Sequence, residues 1–433
     1  VFKFSRTRQY FIKLKADDVN LSLDNKLIIT PYQVFNPGNP VYNNNGVGGF
    51  IRLGVKDLFE NHRIHGGFRI SDQSIVPREF YMTYENLTRR LDQEYTYYRN
   101  SIRTDINDLN GLDLIRTGKQ IQTTNYAHVK FKYALDVLNS MRLKIAYRNE
   151  RTSYKSTGEI TLNAESSINN WAIMKLEFVH DNTIKLRPNT LQGIRANGYV
   201  EFQKEFPGKN ITVFGDNLNL PSWNNGYMIT WGADMRHYQK VYKTITWANR
   251  LAFASSLGTR KVVYYLGGSD GQLLPGVDRT NDVSTDQNYA FQALAQQMRG
   301  FPQNTRNGNS YVVINSELRV PIFSAFSKST MRSKLLESIE LVAFFDVGTA
   351  WEGLSPWSDD NIYTETRYNT PNAPDQSTAT VFLNIYKDPI VFALGPGLRA
   401  DLFGYFFKFD LGWGYDTGQF LKPKMHVSMT YDF

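Results

Sequence analysis

The segment Ile339–Ala350 reads IELVAFFDVGTA, and its apolar residues recur at every second position, which is typical of a β-strand with two different faces. Its two sets of alternating side chains are Leu341, Ala343, Phe345 and Val347 on one face and Glu340, Phe344 and Asp346 on the other. Because successive side chains point to opposite sides of a sheet, the segment predicts a strand that separates an apolar medium from an interior containing charges.

The three remaining C-terminal segments, Pro389–Leu402, Tyr405–Trp413 and Lys424–Phe433, follow the same rule. Their predicted outward sets are Phe392, Leu394, Leu398 and Leu402; Phe407, Phe409, Leu411 and Trp413; and Met425, Val427, Met429, Tyr431 and Phe433. Their predicted inward sets are Arg399 and Asp401; Lys408 and Asp410; and His426, Ser428, Thr430 and Asp432. One apolar face and one face with opposite charges at matching levels is the pattern that lipid outside and a hydrated lumen would select.

Twelve further strand-like segments precede these four, and short and long polar connections alternate between them, except around Leu176–Gln192, where a short link is expected and not found. These segments are Phe11–Leu23, Gly49–Leu58, Arg63–Ser71, Arg78–Leu87, Leu91–Arg103, Ile121–Ala134, Met141–Arg151, Asn170–Val179, Ile194–Phe206, Gly226–Tyr238, Val241–Ser255 and Ser310–Pro321. The pattern predicts an all-β chain, a transmembrane antiparallel β-barrel of about 16 strands over residues 11–433, after a periplasmic lead-in at residues 1–10. A soluble sandwich or propeller is the alternative, but either would have shorter and more regular strands and loops.

Composition excludes several other classes of protein. No apolar run reaches the roughly 18–20 residues that a membrane helix needs, and the absence of cysteine removes disulfides and thiolate metal sites. The formal charge of +8 is spread over single Lys and Arg residues without a basic cluster, so nucleic acid is not an expected partner.

The longest predicted connection is Leu266–Asn309, and loops of this length are usually functional or disordered. Ala290, Leu294 and Met298 have helical spacing and predict a short helical stretch. Arg299-Gly300-Phe301 follows, and it combines a charge that needs an acid, a residue free to turn and an apolar anchor. This trio predicts a loop tip that is buried against the inner wall of the barrel.

Four segments, in the right order, resemble one family, the BamA/TamA superfamily of outer-membrane assembly and translocation proteins (bacterial surface antigen barrels). Phe344–Trp351 is similar to its thirteenth strand and Glu317–Pro321 to its twelfth; Tyr265–Gly268 with Arg299–Phe301 is similar to its sixth extracellular loop, and Tyr431–Phe433 to its C-terminal assembly signal. The segments Asp57–Glu60 and Gly66–Arg69 also resemble barrels of Bacteroidota in which a periplasmic β-propeller comes first.

This resemblance implies a role for each matching residue. Arg299 would pair with Glu317 and Asp346 on the lumen wall, Gly300 would make the tight turn, and Phe301 would pack beneath it; these five residues form the predicted lumen latch. The strand alternation independently points both acids inward. The sequence departs from the family in a long insertion before Arg299 and in having Met298 next to it, and periplasmic domains or subunits are expected upstream of Val1.

The function that the resemblance implies is non-catalytic. The barrel would assist insertion, assembly or translocation of outer-membrane proteins through a lateral seam between its first and last strands, the latter carrying Val427, Met429, Tyr431 and Phe433. Expected partners are outer-membrane lipids or lipopolysaccharide and client proteins. The long loops would be extracellular, and the short turns and the C-terminus periplasmic. Alternatives are a scaffolding subunit of an outer-membrane complex and a plugged pore.

Enzyme and cofactor motifs are weak. Gly267-Gly268-Ser269-Asp270-Gly271 fits the serine-hydrolase elbow, but that motif needs a strand–turn–helix context and a downstream histidine, of which His426 is the only one. The run Gly395–Ala400 loosely matches a dinucleotide fingerprint, but its proline and strand alternation oppose the required helix. The six histidines form no metal-binding motif. No enzyme activity, metal or cofactor is therefore expected.

Overall fold

The structure is a computed structural model, and it describes residues 11–24, 32–35, 48–71, 74–107, 117–155, 166–187, 190–207, 226–269, 271–273, 276–284, 286–295, 297–326, 333–369, 380–402 and 405–429. Short helices occur at Ile322–Phe326, Lys334–Ser338 and Asp359–Ile362. The strands are β1 Lys15–Asp24, β2 Gln33–Val34, β3 Gly48–Lys56, β4 His62–Ser71, β5 Ser74–Asn86, β6 Leu91–Asn107, β7 Thr117–Ala134, β8 Asn139–Lys155, β9 Ser167–Asp181, β10 Ile184–Arg187, β11 Thr190–Pro207, β12 Tyr227–Tyr242, β13 Ile245–Gly258, β14 Lys261–Leu266, β15 Tyr289–Leu294, β16 Arg306–Gly308, β17 Ser310–Pro321, β18 Glu340–Trp351, β19 Tyr363–Asn369, β20 Thr380–Tyr386, β21 Val391–Leu402, β22 Tyr405–Asp416, β23 Gln419–Phe420 and β24 Lys424–Met429.

Sixteen of these strands form one antiparallel sheet in which each strand pairs with the next in the chain; they are β1, β3 to β9, β11 to β13, β17, β18, β21, β22 and β24. All sixteen predicted strands are found among the described residues, so the predicted all-β class and strand number are confirmed. Residues 87–90, 135–138 and 243–244 make short turns at one end of the sheet, whereas residues 259–309 make a long connection at the other. No helix in the described part of the chain is long and apolar enough to cross a bilayer.

The two faces of this sheet differ as the alternation predicts. In β22, Lys408 and Asp410 are each 1% exposed on the inner face, whereas Leu411 is exposed on the outer face. Glu340, Phe344 and Asp346 of β18 are buried, whereas Leu341, Ala343 and Phe345 between them are exposed. Large apolar side chains are exposed on the outer face of many strands; examples are Val200, Phe202, Trp231, Leu251, Ile314, Phe345 and Leu394. An exposed apolar surface this extensive indicates contact with another apolar phase.

The sheet curls strongly. The Thr190 hydroxyl in β11 donates a hydrogen bond of 3.1 Å to Oε1 of Glu340 in β18, although β12, β13 and β17 lie between these two strands in the ladder. In a flat sheet, four strand spacings would put them about 19 Å apart. The inner faces of β11 and β18 therefore turn toward each other.

A second, smaller sheet lies inside this curve, with the order β16–β14–β15–β2. Its Phe291 ring lies 5.0 Å from the ring of Trp171 in β9 and 4.3 Å from the guanidinium of Arg148 in β8. On the opposite side, the ring of Tyr264 lies 4.9 Å from that of Tyr311 in β17. One apolar core thus joins the loop to strands from both halves of the large sheet.

The prediction of a short helical stretch around Ala290, Leu294 and Met298 is wrong. Residues Tyr289–Leu294 form β15, which pairs in parallel with β14 and antiparallel with β2. Alternate residues Tyr289, Phe291 and Ala293 are buried, and strand partners on both edges satisfy the backbone groups that a buried segment cannot leave unpaired. Tertiary burial therefore overrides the local helical spacing.

The irregular link around Leu176–Gln192 has a simple structural cause. Strand β9 continues to Asp181, and β10 folds back on β11 with Ile184 opposite Gln192. The connection is thus a hairpin that extends the ladder at this end. A second unpredicted hairpin, β19–β20, lies between β18 and β21.

The two terminal strands of the large sheet are β1 and β24. Within the described residues, no ladder joins them: β1 pairs with β3, and β24 pairs with β22. The predicted lead-in at residues 1–10 lies outside the described residues, as do Tyr431 and Phe433 of the predicted C-terminal signal.

Candidate functional site

The tip of the loop between β14 and β17 lies against the inner face of the sheet. After β14, Gly268 and Met298 form an antiparallel bridge. The backbone N–H of Met298 donates to the Gly268 carbonyl at 2.9 Å, and that of Gly268 donates to the Phe301 carbonyl at 3.1 Å. These bonds bring the two ends of the insertion together and place Arg299 at the wall with no exposed surface.

The Arg299 guanidinium binds two carboxylates on neighbouring strands. Its Nε and Nη2 donate to Oδ2 and Oδ1 of Asp346 in β18, each at 2.7 Å, and its Nη1 donates to Oε1 of Glu317 in β17. The two parallel bonds to Asp346 form a bidentate pair, the strongest arrangement of this kind. The structure thus brings together the arginine and the two acids of the predicted lumen latch.

Further contacts fix Asp346 and the guanidinium plane. The backbone N–H of Arg299 donates to Asp346 Oδ2 at 3.2 Å, and Asn315 Nδ2 donates to Asp346 Oδ1 at 2.8 Å. Asn315 Nδ2 also donates to the carbonyl of Gln297 at 2.8 Å. The ring of Phe344 lies 3.8 Å from the guanidinium carbon, a cation–π arrangement. Asp346 is therefore held from both the loop and the wall.

Additional charged side chains extend this cluster across β17, β21 and β22. Glu317 Oε2 accepts a hydrogen bond of 2.8 Å from Arg319 Nε, and Glu317 Oε1 accepts one of 3.3 Å from Arg399 Nη2. Arg399 Nη1 donates to Asp410 Oδ1 at 2.7 Å, which lies 3.8 Å from Arg299 Nη1. The sequence analysis placed Arg399 and Asp410 on the inner face but did not predict that they join the cluster around Arg299. The pattern that could have indicated it is their position on the inward-facing alternation of neighbouring strands.

Gly300 lies close to the backbone of β22. Its φ of +81° is in the left-handed region that favours glycine. A Cβ on Gly300 would lie 3.0 Å from the backbone N of Gly414, and a Cβ on Gly412 would lie 2.7 Å from the backbone N of Gly300. The Gly300 N–H also donates to Nε2 of His426 at 2.9 Å. Gly412, Gly414 and His426 were not predicted to contact the tip.

Phe301 is fully buried. A Cβ on Gly414 would lie 2.7 Å from Cζ of its ring, so the ring packs directly on the β22 backbone. The five residues of the lumen latch therefore meet at one place. The C-terminal residues Val427 and Met429 are half-buried on the outer face of β24, away from this cluster.

Ser269 and His426, which the hydrolase-like motif would combine, make other contacts in the structure. Ser269 Oγ lies 3.4 Å from Ser428 Oγ and 3.5 Å from Gln297 Nε2, while the ring of His426 binds the Gly300 N–H and Gln272. No group of three potential metal ligands occurs among the described residues. What the arrangement provides is a buried, charge-paired attachment of a loop to a wall.

Comparisons with known proteins give matches only among solved structures. No protein-family model and no curated protein matches the sequence. BamA from Haemophilus ducreyi lacking POTRA domains 1–3 has 10% identity and a TM-score of 0.48, with 96% of this chain and 76% of that chain covered. CdiB from Escherichia coli has 12% identity and a TM-score of 0.49, covering 95% and 67%. CdiB from Acinetobacter baumannii has 8% identity and a TM-score of 0.44, covering 97% and 66%.

Proposed function

We propose that the chain is a BamA-type outer-membrane β-barrel that assists insertion, assembly or translocation of outer-membrane proteins without covalent chemistry. Client strands would enter through a lateral seam between β1 and β24. Three features support the proposal: the exposed apolar outer face, the sequence motifs shared with that superfamily, and the buried attachment of the loop at Arg299.

The observation that carries the proposal is the exposure of β1 and of one of its edges. This strand pairs with β3 from Lys15↔Lys56 to Asp24↔Gly48, with a register shift near Asp18. Val19 and Leu21 are 75% and 71% exposed, and Asn20, on the opposite face, is exposed as well. The described side chains of β1, Lys15–Asp17 and Val19–Leu21, are exposed on both faces. With one edge without a ladder among the described residues, β1 presents backbone groups on which another strand can add.

The lumen latch fixes the position of the loop on the inner face of the sheet. Arg299, Glu317 and Asp346 hold the loop against β17 and β18, and β18 lies three strands before β24 in the ladder. The loop packs inside the curve of the sheet, and in this proposal a client gains access sideways rather than through a central channel. In this proposal the outer face contacts outer-membrane lipids or lipopolysaccharide, the short turns and the C-terminus are periplasmic, and the long loops are extracellular.

Joining β1 covalently to β24 is expected to abolish client insertion. The chain has no native cysteine, so pairs such as Leu21→Cys with Met425→Cys, or Val19→Cys with Val427→Cys, can be bridged by a bis-maleimide. Because strand addition needs a free edge, the bridged protein should leave an unfolded outer-membrane barrel protein uninserted in proteoliposomes. Insertion is measured by the protease resistance of the client.

A matched control bridges two outward residues of strands that are already paired, Leu251→Cys with Ile314→Cys in β13 and β17. This bridge should leave insertion at the level of the unmodified protein. Normal insertion by the seam-bridged protein would refute lateral opening.

A scaffolding barrel is the second candidate, and the packing of the loop against strands from both halves of the sheet favours it. Such a protein needs no strand separation, so the same bridge would leave its assembly with partners unchanged.

A further inference from the structure

A short piece of the loop lies on the edge of the last strand. The backbone N–H of Leu273 donates to the Val427 carbonyl at 2.9 Å, and the N–H of Met429 donates to the Gly271 carbonyl at 3.3 Å. Gln272 and Ser428 form the antiparallel bridge between these two bonds. Gly271–Leu273 therefore pairs with β24 as a short strand would.

The edge that this piece covers is the one facing away from β22. Ser428 is opposite Lys408 in the β22–β24 ladder, while the carbonyl of Val427 and the N–H of Met429 bind the loop. Backbone groups of successive strand residues point to alternate edges. The loop piece thus takes the place that the next strand, on the seam side of β24, would take.

The side chains of this piece alternate as in a barrel strand. Gln272 is buried on the inner side, where its Oε1 accepts from the Ser269 N–H at 3.1 Å and lies 3.2 Å from Nδ1 of His426. Gly271 and Leu273, its neighbours, are half-buried and belong to the opposite side by alternation. The pattern is small or apolar, polar, then apolar.

We propose that the edge of β24 at Val427–Met429 is a docking site for an extended client strand, and that Gly271–Leu273 occupies this site until a client displaces it. The inference rests on the proposed function and adds the partner's chemistry: a strand antiparallel to β24, with a polar residue facing inward between apolar residues. Among the described residues, two backbone hydrogen bonds join the resident piece to β24, and a client that forms a longer ladder can replace it.

Fixing the resident piece covalently tests this docking site. Gln272→Cys with Ser428→Cys places two cysteines at directly opposed positions, where antiparallel strands bring Cα atoms to about 4.5 Å, within disulfide range. Oxidation of the full-length protein in membranes should form the disulfide, and client insertion should fall to the level of empty liposomes. A reductant should restore it.

The control is Thr83→Cys with Thr96→Cys, an opposed pair on β5 and β6 whose hydroxyls lie 2.9 Å apart; its oxidation should leave insertion unchanged. Failure of the Gln272–Ser428 disulfide to form would overturn the inference, and so would normal insertion by the oxidised protein. Absence of insertion by the reduced protein, with the wild type equally inactive, would instead overturn the proposed function and this docking site with it.

Discussion

Replacing Arg299 with alanine is expected to lower the free energy of unfolding by about 3–5 kcal/mol, because removing one partner of a buried ion pair leaves the other charge without compensation. Within the described residues, Glu317 keeps Arg319 and Arg399 as partners, whereas Asp346 keeps only the Asn315 amide among its side-chain donors. The destabilisation should therefore arise mainly at Asp346. Urea titration of the protein folded in detergent micelles measures it.

The control for this substitution is Arg195→Ala. Arg195 pairs with Asp181 at 2.9 Å, but both side chains are about 40% exposed, and exposed pairs contribute about 0–1 kcal/mol. If Arg299→Ala unfolds at the same urea concentration as Arg195→Ala, the cluster does not hold the loop in place.

Gly412→Ala is expected to cost about 1–3 kcal/mol, the usual range for overpacking a filled interior. The added Cβ would lie 2.7 Å from the backbone N and 2.8 Å from the Cα of Gly300. These are backbone atoms at a buried tip that is also tied by Arg299, so the loop has to move rather than a flexible side chain. The same urea titration measures the loss.

Gly198→Ala is the matched control, since a Cβ there meets nothing within 4 Å and the residue is also in a strand of the large sheet. It should change the free energy of unfolding by less than about 0.5 kcal/mol. Equal effects of the two glycine substitutions would mean that the tip does not pack closely against β22.

The large sheet could be predicted because the sequence pattern that indicates each of its strands lies within that strand. Alternation in segments such as Tyr405–Trp413 reflects a physical boundary that every strand crosses, and it assigned Lys408 and Asp410 to the buried face. The same parity, together with the family resemblance, pointed Glu317 and Asp346 toward the loop. The ends of the strands were predicted less accurately, since β6 and β7 extend beyond their predicted bounds.

The interior could not be predicted to the same degree, because contacts between distant segments decide it. Tyr289–Leu294 becomes a strand only because β14 and β2 lie on its two sides. The close approach of Gly412 to Gly300 and the pairing of Gly271–Leu273 with β24 join residues more than a hundred positions apart. No local pattern carries that information.

The most direct test of the latch is a double-mutant cycle on Arg299→Ala and Asp346→Ala, with the free energy of unfolding measured for both single variants and the double variant. The bidentate, fully buried contact predicts a coupling of about 2–3 kcal/mol, so that the double variant is less destabilised than the sum of the single ones. Additive effects, with a coupling below about 0.5 kcal/mol, would contradict a direct bond between the loop and β18.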